Sequence, residues 1–405
     1  MGQDRPVVRW RALLRAPGIL DWIAIVLVLL ALVAVLTGVE PRATASATLR
    51  RILPLLVFLG SVIVLAELTA EAQVFDVIAA RLAIVGRGRY PALFLLCVGF
   101  AAITTATLNL DTTAVLLTPV MLATAERIGV PRMPLAMTTV WLANTASMLL
   151  PVSNLTNLLA LNRIGLSALA FLTRMWPVEV ASVLATMVCL WVFYWRRGLR
   201  EEDRYEVPPP YRPADRPLFA VAGVSCVVFV LGVLVGLPLA AVSAVCMGIV
   251  VLTFLLRRRQ AVKIRLIPFQ LLGFVVGLFL VIDVISEHGL GSVLGDLIGH
   301  DDGTGGVLRA AAVGAGLSNA VNNLPAYVAV EAVVPLHNVT QLLGLLIGTN
   351  IGPIIVPWAS LATLLWYSRC RSYGVRISWT RFMLTGAATA LVTLGTAAVA
   401  LLLTR

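Results

Sequence analysis

The chain has 405 residues, 60% of them hydrophobic and 13% charged, about half the charged share of an ordinary soluble domain. A mean hydropathy of +0.95 and apolar runs long enough to cross a bilayer exclude a soluble globular fold, and the absence of alternating apolar and polar runs excludes a closed β-barrel. The formal net charge of +11 is nearly all Arg, with Lys263 the sole lysine; basic residues of this kind collect in cytoplasmic loops, so nucleic acid is excluded as a partner.

The charge pattern sets the topology. Arg5, Arg9, Arg11 and Arg15 precede the first apolar segment and place the N-terminus in the cytoplasm of a bacterial inner-membrane protein. That segment, about 20–37, reads as a retained helix rather than a cleaved leader. A second span at about 52–68 returns, and residues 69–90, where Glu71, Asp76 and Arg81 alternate with Val74, Phe75 and Ile78, read as an amphipathic surface helix. Pro91 to Leu108 then runs into a polar knot, Asn109-Leu110-Asp111-Thr112-Thr113, before Ala114 to Ala125 leads to Glu126, Arg127 and Arg132. Arg at both ends predicts a re-entrant hairpin with a polar tip, the alternative being two full spans. The next span, Leu135 to Leu161, is broken by Asn144-Thr145-Ala146-Ser147 and by Pro151-Val152-Ser153-Asn154. A span at about 176–195 returns to a charged, Pro-rich cytoplasmic linker at 198–217.

The second half mirrors the first. Spans are expected at about 218–236, 239–256 and 267–285, with Arg257, Arg258, Arg259, Lys263 and Arg265 marking the inside. Residues 286–306 carry Glu287, Asp296, Asp301 and Asp302 but no Lys or Arg, as an outside loop would, and His288, His300 and His337 all fall on that side. A second hairpin tip is predicted over Ser318-Asn319-Ala320-Val321-Asn322-Asn323-Leu324-Pro325. A second broken span follows at Gly348-Thr349-Asn350 to Pro357, then Arg369, Arg371, Arg376 and Arg381 inside, and a last helix. The domain reading is 1–50 N-terminal helix and loop, 51–197 first repeat, 198–217 linker and 218–405 second repeat.

Offsetting the sequence by 206 positions lays Asn144 on Asn350, Pro151 on Pro357 and Leu155 on Leu361; an offset of 213 lays Asn109 on Asn322. Opposite predicted directions make this an inverted-topology repeat, the plan of secondary transporters, with binding expected at the midplane where broken helices meet. One polar break is a kink or helix glue as often as a site; four in two matched pairs favour a site. Intramembrane carboxylates are functional by default, and Asp111, at a tip, is the strongest. Asp283 and Glu331 lie near predicted ends, and Glu67 and Glu179 read as interfacial. No phosphate-binding loop appears, and the scattered cysteines Cys97, Cys189, Cys226, Cys246 and Cys370 show no metal spacing. No enzyme activity, metal or organic cofactor is expected, and a coupling proton or sodium ion is the sole accessory species.

Asn109-Leu110-Asp111-Thr112-Thr113-Ala114-Val115-Leu116-Leu117-Thr118-Pro119 resembles the first hairpin of the ion transporter superfamily, the arsenite efflux permeases in particular. Leu142-Ala143-Asn144-Thr145-Ala146-Ser147 and Pro151-Val152-Ser153-Asn154-Leu155-Thr156-Asn157 resemble their first broken helix; Asn322-Asn323-Leu324-Pro325 and Gly348-Thr349-Asn350-Ile351-Gly352-Pro353 resemble the second-half counterparts. The resemblance implies an all-α polytopic membrane protein of the elevator type, with about ten spanning helices plus two re-entrant hairpins. It also implies a homodimer, export of arsenite and antimonite driven by a proton gradient or the membrane potential, and room for a cytoplasmic ATPase subunit. Carried over by position, the site is Asn109, Asp111, Thr112, Thr113, Asn144, Thr145, Ser147, Ser153 and Asn154 from the first half, and Ser318, Asn319, Asn322, Asn323, Thr349 and Asn350 from the second. Asn144 stands where those permeases suggest Asp, and neither tip carries the Ser-Asn-Thr of dicarboxylate relatives.

A ring of Asn, Thr and Ser both donates and accepts hydrogen bonds, which suits a neutral polyhydroxy acid such as arsenous acid. The competing readings are a sodium- or proton-coupled carboxylate or anion transporter, and a sodium/proton antiporter with Asp111 as the exchanging group.

Overall fold

A computed structural model describes residues 19–37, 41–196, 204–285, 291–299, 301, 303–336 and 338–404. The N-terminal Arg cluster, Glu287, Asp302, the three histidines and the side chain of Asp283 lie outside the described residues. Among the described residues there is no strand, only one isolated bridge between Arg89 and Arg204.

The first half runs α1 (Ile19–Thr37), α2 (Arg42–Glu71), α3 (Val74–Val85), α4 (Tyr90–Leu108), α5 (Leu110–Thr112), a π-helical turn at Thr113–Leu117, α6 (Thr118–Arg127), α7 (Arg132–Thr145), α8 (Leu155–Ile164) and α9 (Ala168–Leu190). The second runs α10 (Arg216–Leu234), α11 (Leu239–Arg257), α12 (Phe269–Ile285), α13 (Gly291–Ile298), α14 (Thr304–Val321), α15 (Asn323–Glu331), α16 (Val339–Ile351), α17 (Leu361–Ser372) and α18 (Trp379–Leu403). Six described helices are long and apolar enough to cross a bilayer: α2, α4, α9 with the turn that follows it, α10, α11 and α18. Their outward Leu and Val side chains, such as Leu231, Val245, Leu252 and Leu391, are exposed, as a lipid-facing surface requires.

Each break has a local cause. α4 stops where Asn109 adopts φ 84° and ψ 165°, an extended positive-φ backbone that residues with a side chain rarely adopt and that the surrounding structure must hold in place. Its Oδ1 then accepts the Thr112 N–H at 2.9 Å and starts α5. Asn322 repeats the geometry at φ 102° between α14 and α15. Pro119 lacks an N–H and crowds the carbonyl four residues back; the wide turn at Thr113–Leu117 absorbs this. The predicted second tip is narrower than expected. Ser318 to Val321 stay helical, because nothing before Asn322 breaks the helix.

The two broken helices match in backbone detail. Leu150 (φ −119°, ψ 153°) and Val356 (φ −116°, ψ 151°) are both extended, as a residue before Pro must be. Short 3₁₀ turns at Pro151–Ser153 and Pro357–Ala359 follow, and then extended Asn154 and Ser360 open α8 and α17. Packing repeats as well. α1 lies on α12 and α11 on α2, pairs that exchange elements between halves, while α9 lies on α18. The outer ends of the first tip's two arms, α4 and α6, both pack against α3.

The linker is clamped where it is described. Tyr205 N–H donates to the Gly88 carbonyl at 3.1 Å, and its hydroxyl to the Ala83 carbonyl at 2.6 Å. Gln73 holds the Tyr211 hydroxyl at 2.9 Å, and Arg127 lies 4.9 Å above the Tyr211 ring. Asp215 caps α10 through the Leu218 N–H, which holds its carboxyl below the usual carboxylate range, and Arg257 pairs with it at 3.0 Å.

Candidate functional site

The two Asn-centred tips meet. Asn109, Asp111, Asn154, Asn322 and Asn323 line a pocket of about 30 Å³, room for roughly two waters. This pocket shares Asp111, Asn322, Leu271, Phe274 and Leu361 with a cavity of about 930 Å³ that also takes in Thr112 and Trp358. Glu67, Arg265, Gln270 and Arg369 line the same cavity, near the ends of α2 and α17 and the start of α12. The Arg257–Arg259 and Lys263 cluster lies in the chain just before Arg265.

Asp111 sits in the first turn after the Asn109 break, where freed N–H groups favour a carboxylate. Its Oδ1 and the Thr112 Oγ1 are buried without a hydrogen-bond partner. Across the cavity, the Asn322 side chain donates to the Trp358 carbonyl at 2.9 Å, and the Trp358 indole donates to the Asn319 carbonyl at 2.9 Å. Asn319 also donates to the Ala315 and Gly352 carbonyls and accepts from Val356 N–H, fixing the second break against α14.

Behind the pocket lies a carboxamide cluster. Asn350 Oδ1 accepts from Asn154 Nδ2 at 3.0 Å and from Thr156 Oγ at 2.8 Å, and its amide donates to Asn157 Oδ1 at 3.0 Å. The end of α16 is thereby locked to the start of α8. Asn157 also donates to the Ser147 and Leu150 carbonyls, stiffening the unwound stretch.

Six of the fifteen sequence-selected residues therefore line the space: Asn109, Asp111, Thr112, Asn154, Asn322 and Asn323. The others are drawn into support. Thr113 donates to the Asn109 carbonyl, Thr145 to Trp141, Ser147 to Asn144, Ser318 to Gly314 and Thr349 to Leu345. Asn144 spends its amide on the Val140 carbonyl. Ser153 Oγ donates to the Ala106 carbonyl at 2.8 Å and accepts the Leu150 N–H at 3.1 Å, joining the first hairpin to the first break. Ser153→Ala orphans both buried groups; it is expected to cost about 1–3 kcal/mol, read as a lowered midpoint in thermal unfolding of the detergent-solubilised protein.

Sequence reasoning missed Thr156, Asn157 and Trp358 as partners of the site, although the first two stand inside a quoted motif. Glu179 is a correction. It is not interfacial but buried at 5% exposure, and its carboxylate accepts the Met148 N–H at 3.0 Å. Ser182 and Thr186, three and seven residues on, share its face of α9 and also bond the first break.

Residues 17–363 match the family model described as CitMHS: Citrate transporter. Curated relatives include an "Arsenical pump membrane protein" of Escherichia coli, 28% identical over 358 residues and 80% of each chain, and one of Yersinia enterocolitica, 29% identical over 352 residues and again 80% of each. An uncharacterized transporter of Synechocystis is 26% identical over 323 residues, 76% of this chain and 69% of that one. Among solved structures, the Alcanivorax borkumensis YdaH transporter superposes with a TM-score of 0.56 at 15% identity, covering 95% of this chain and 97% of that one. That likeness is one of fold.

Proposed function

The chain belongs to the CitMHS citrate-transporter family and is a multi-pass membrane transporter, and from that premise we propose that it exports arsenite and antimonite as their neutral hydroxy acids. The observation that carries the reading is the inner pocket. It presents a carboxylate with an unpartnered oxygen and four carboxamides, and among the described residues no Arg or Lys lines it. A neutral acid donates its hydroxyls to Asp111 and accepts from carboxamide N–H groups. A tricarboxylate brought to the same place meets a like charge with no cation to offset it. The pocket's small volume also favours a cargo of a few non-hydrogen atoms.

The proposed direction is outward. The cavity runs from the tips toward Arg265 and Arg369, and Arg-rich ends lie in the cytoplasm, so cargo loads from inside. The proposed drive is the proton gradient or the membrane potential, with the two halves inverted across the bilayer, the tips re-entrant, and the protein working as a homodimer.

A second reading, carboxylate transport, draws on the family's name and on Arg265 and Arg369 in the larger cavity, which attract anions at its mouth. One experiment separates the two: expression in an arsenite-sensitive strain lacking its own exporter, with growth and retained arsenic measured beside uptake of labelled citrate. Resistance with lowered cell arsenic is expected. Citrate accumulation without resistance overturns the proposal in favour of the second reading.

A further inference from the structure

Glu179 has no place in the cargo pocket, yet it is a carboxylate in the middle of a long apolar helix. Its surroundings are specific. Among the described residues its hydrogen-bond partner is the Met148 N–H, at 3.0 Å. Met148 lies in the unwound stretch between α7 and α8, flanked by Ser147 and Leu149. The charged and titratable groups on the elements packed against α9 are engaged elsewhere. Arg132 of α7 bonds the Tyr373 carbonyl and Glu126. Arg381 of α18 bonds the Phe193 carbonyl and lies over Tyr194. On α10, Cys226 pairs with Thr69, and Arg216 stands at the helix start. Among the described residues no cation pairs with Glu179. A carboxylate withdrawn from water without a counter-charge is stable only while its remaining hydrogen bonds favour the charge, and otherwise takes up a proton.

We propose that Glu179 is the proton-binding site of the transport cycle, and that its charge state sets the hold on the unwound segment of the first broken helix. The ionised carboxylate grips the Met148 N–H by a charge-assisted bond; the protonated acid is a weaker acceptor and releases it. The consequence travels along hydrogen bonds already described. Ser147 Oγ accepts from Asn154 Nδ2 at 3.4 Å, and the Ser147 carbonyl accepts from Asn157 Nδ2 at 2.7 Å. Asn154 and Asn157 both bond Asn350, and Asn154 lines the cargo pocket. Neighbouring bonds tie the same stretch to α9, since Ser182 donates to the Thr145 carbonyl at 2.6 Å and Thr186 to the Thr145 hydroxyl at 2.9 Å. These have no ionisable member, which leaves Glu179 as the pH-sensitive contact between α9 and the break. A proton bound there loosens the first-half wall of the pocket without touching the cargo.

The proposal rests on proton-coupled export, but its test does not need the cargo. Hydrogen exchange of the peptide containing Met148 is measured on the full chain in lipid nanodiscs, with intrinsic rates corrected, between about pH 8 and about pH 5.5. Protection of that peptide is expected to fall about fivefold or more as pH drops, while peptides from α11 stay unchanged. Glu179→Gln, a fixed neutral mimic, is expected to show the low-pH protection throughout, and its arsenite efflux to lose dependence on the imposed pH gradient. Equal protection of the Met148 peptide across the range in the parent chain overturns the proposal, and that reading stands even where Glu179→Gln does not fold. Loss of arsenite efflux from the parent with pH-dependent protection retained sinks the cargo assignment and leaves the proton site standing.

Discussion

Asp111→Asn is expected to insert and fold as the parent does while losing arsenite efflux. The change is isosteric, and Asp111 Oδ1 bonds nothing in the folded chain, so the fold gives up no contact. What it removes is the acceptor strength of an ionised oxygen. A hydrogen bond to a charged group contributes about 1.5–3 kcal/mol, so cargo affinity should fall by about tenfold to a hundredfold. Asn109 and Asn322 remain to hold the cargo weakly. The measurement is arsenic retained by cells expressing equal amounts of membrane-inserted protein. Efflux equal to the parent's would remove Asp111 from the pathway and with it the argument for a neutral, hydroxyl-donating cargo.

The same residue illustrates what the sequence makes legible. The breaks are readable because their causes are local. Asn109 and Asn322 are polar residues interrupting apolar runs, and Pro151 and Pro357 force extended residues before them. Matching residues at matching offsets then pair one break with the other. Which polar groups face the cavity is not readable in this way. In an apolar helix with no polar face, any Ser or Thr can return its hydroxyl to the carbonyl a turn back, and Thr145, Ser318 and Thr349 do so. Their motif positions look the same as that of Thr112, whose hydroxyl stays free. The distinction arises from how α17 and α2 pack against the first tip, which is a property of tertiary packing.

The division of labour follows from that packing. Asn350 lines neither the inner pocket nor the larger cavity, yet it fixes where Asn154 points by bonding Asn154, Thr156 and Asn157 at once. Its counterpart Asn144 keeps an unpartnered Oδ1, so the two halves, though alike in backbone, are not alike in bonding.

Gly348→Ala is expected to be among the most damaging single-methyl additions in the chain. Gly344 and Gly348 on α16 and Gly352 at its C-cap recur every fourth residue and face Val307, Ala311 and Ala315 on α14, the small-residue spacing that lets membrane helices approach backbone to backbone. A Cβ at Gly348 would collide with the Ala311 carbonyl oxygen and stand 2.8 Å from its carbonyl carbon. Neither is the end of a flexible side chain, so the helices themselves must separate. Overpacking of this kind costs about 1–3 kcal/mol and sometimes more. Function should suffer further, because Thr349 and Asn350 follow directly and ride on α16; moving that helix pulls Asn350 from Asn154 and Asn157. Gly316→Ala, on α14 with nothing within 4 Å of the added methyl, is the matched control and should melt with the parent. Thermal unfolding followed by size-exclusion fluorescence reads both variants, with arsenite efflux as the second readout. A Gly348→Ala chain as stable and as active as the Gly316→Ala chain would mean that α14 and α16 sit farther apart in the membrane, and that the carboxamide lock does not depend on their approach.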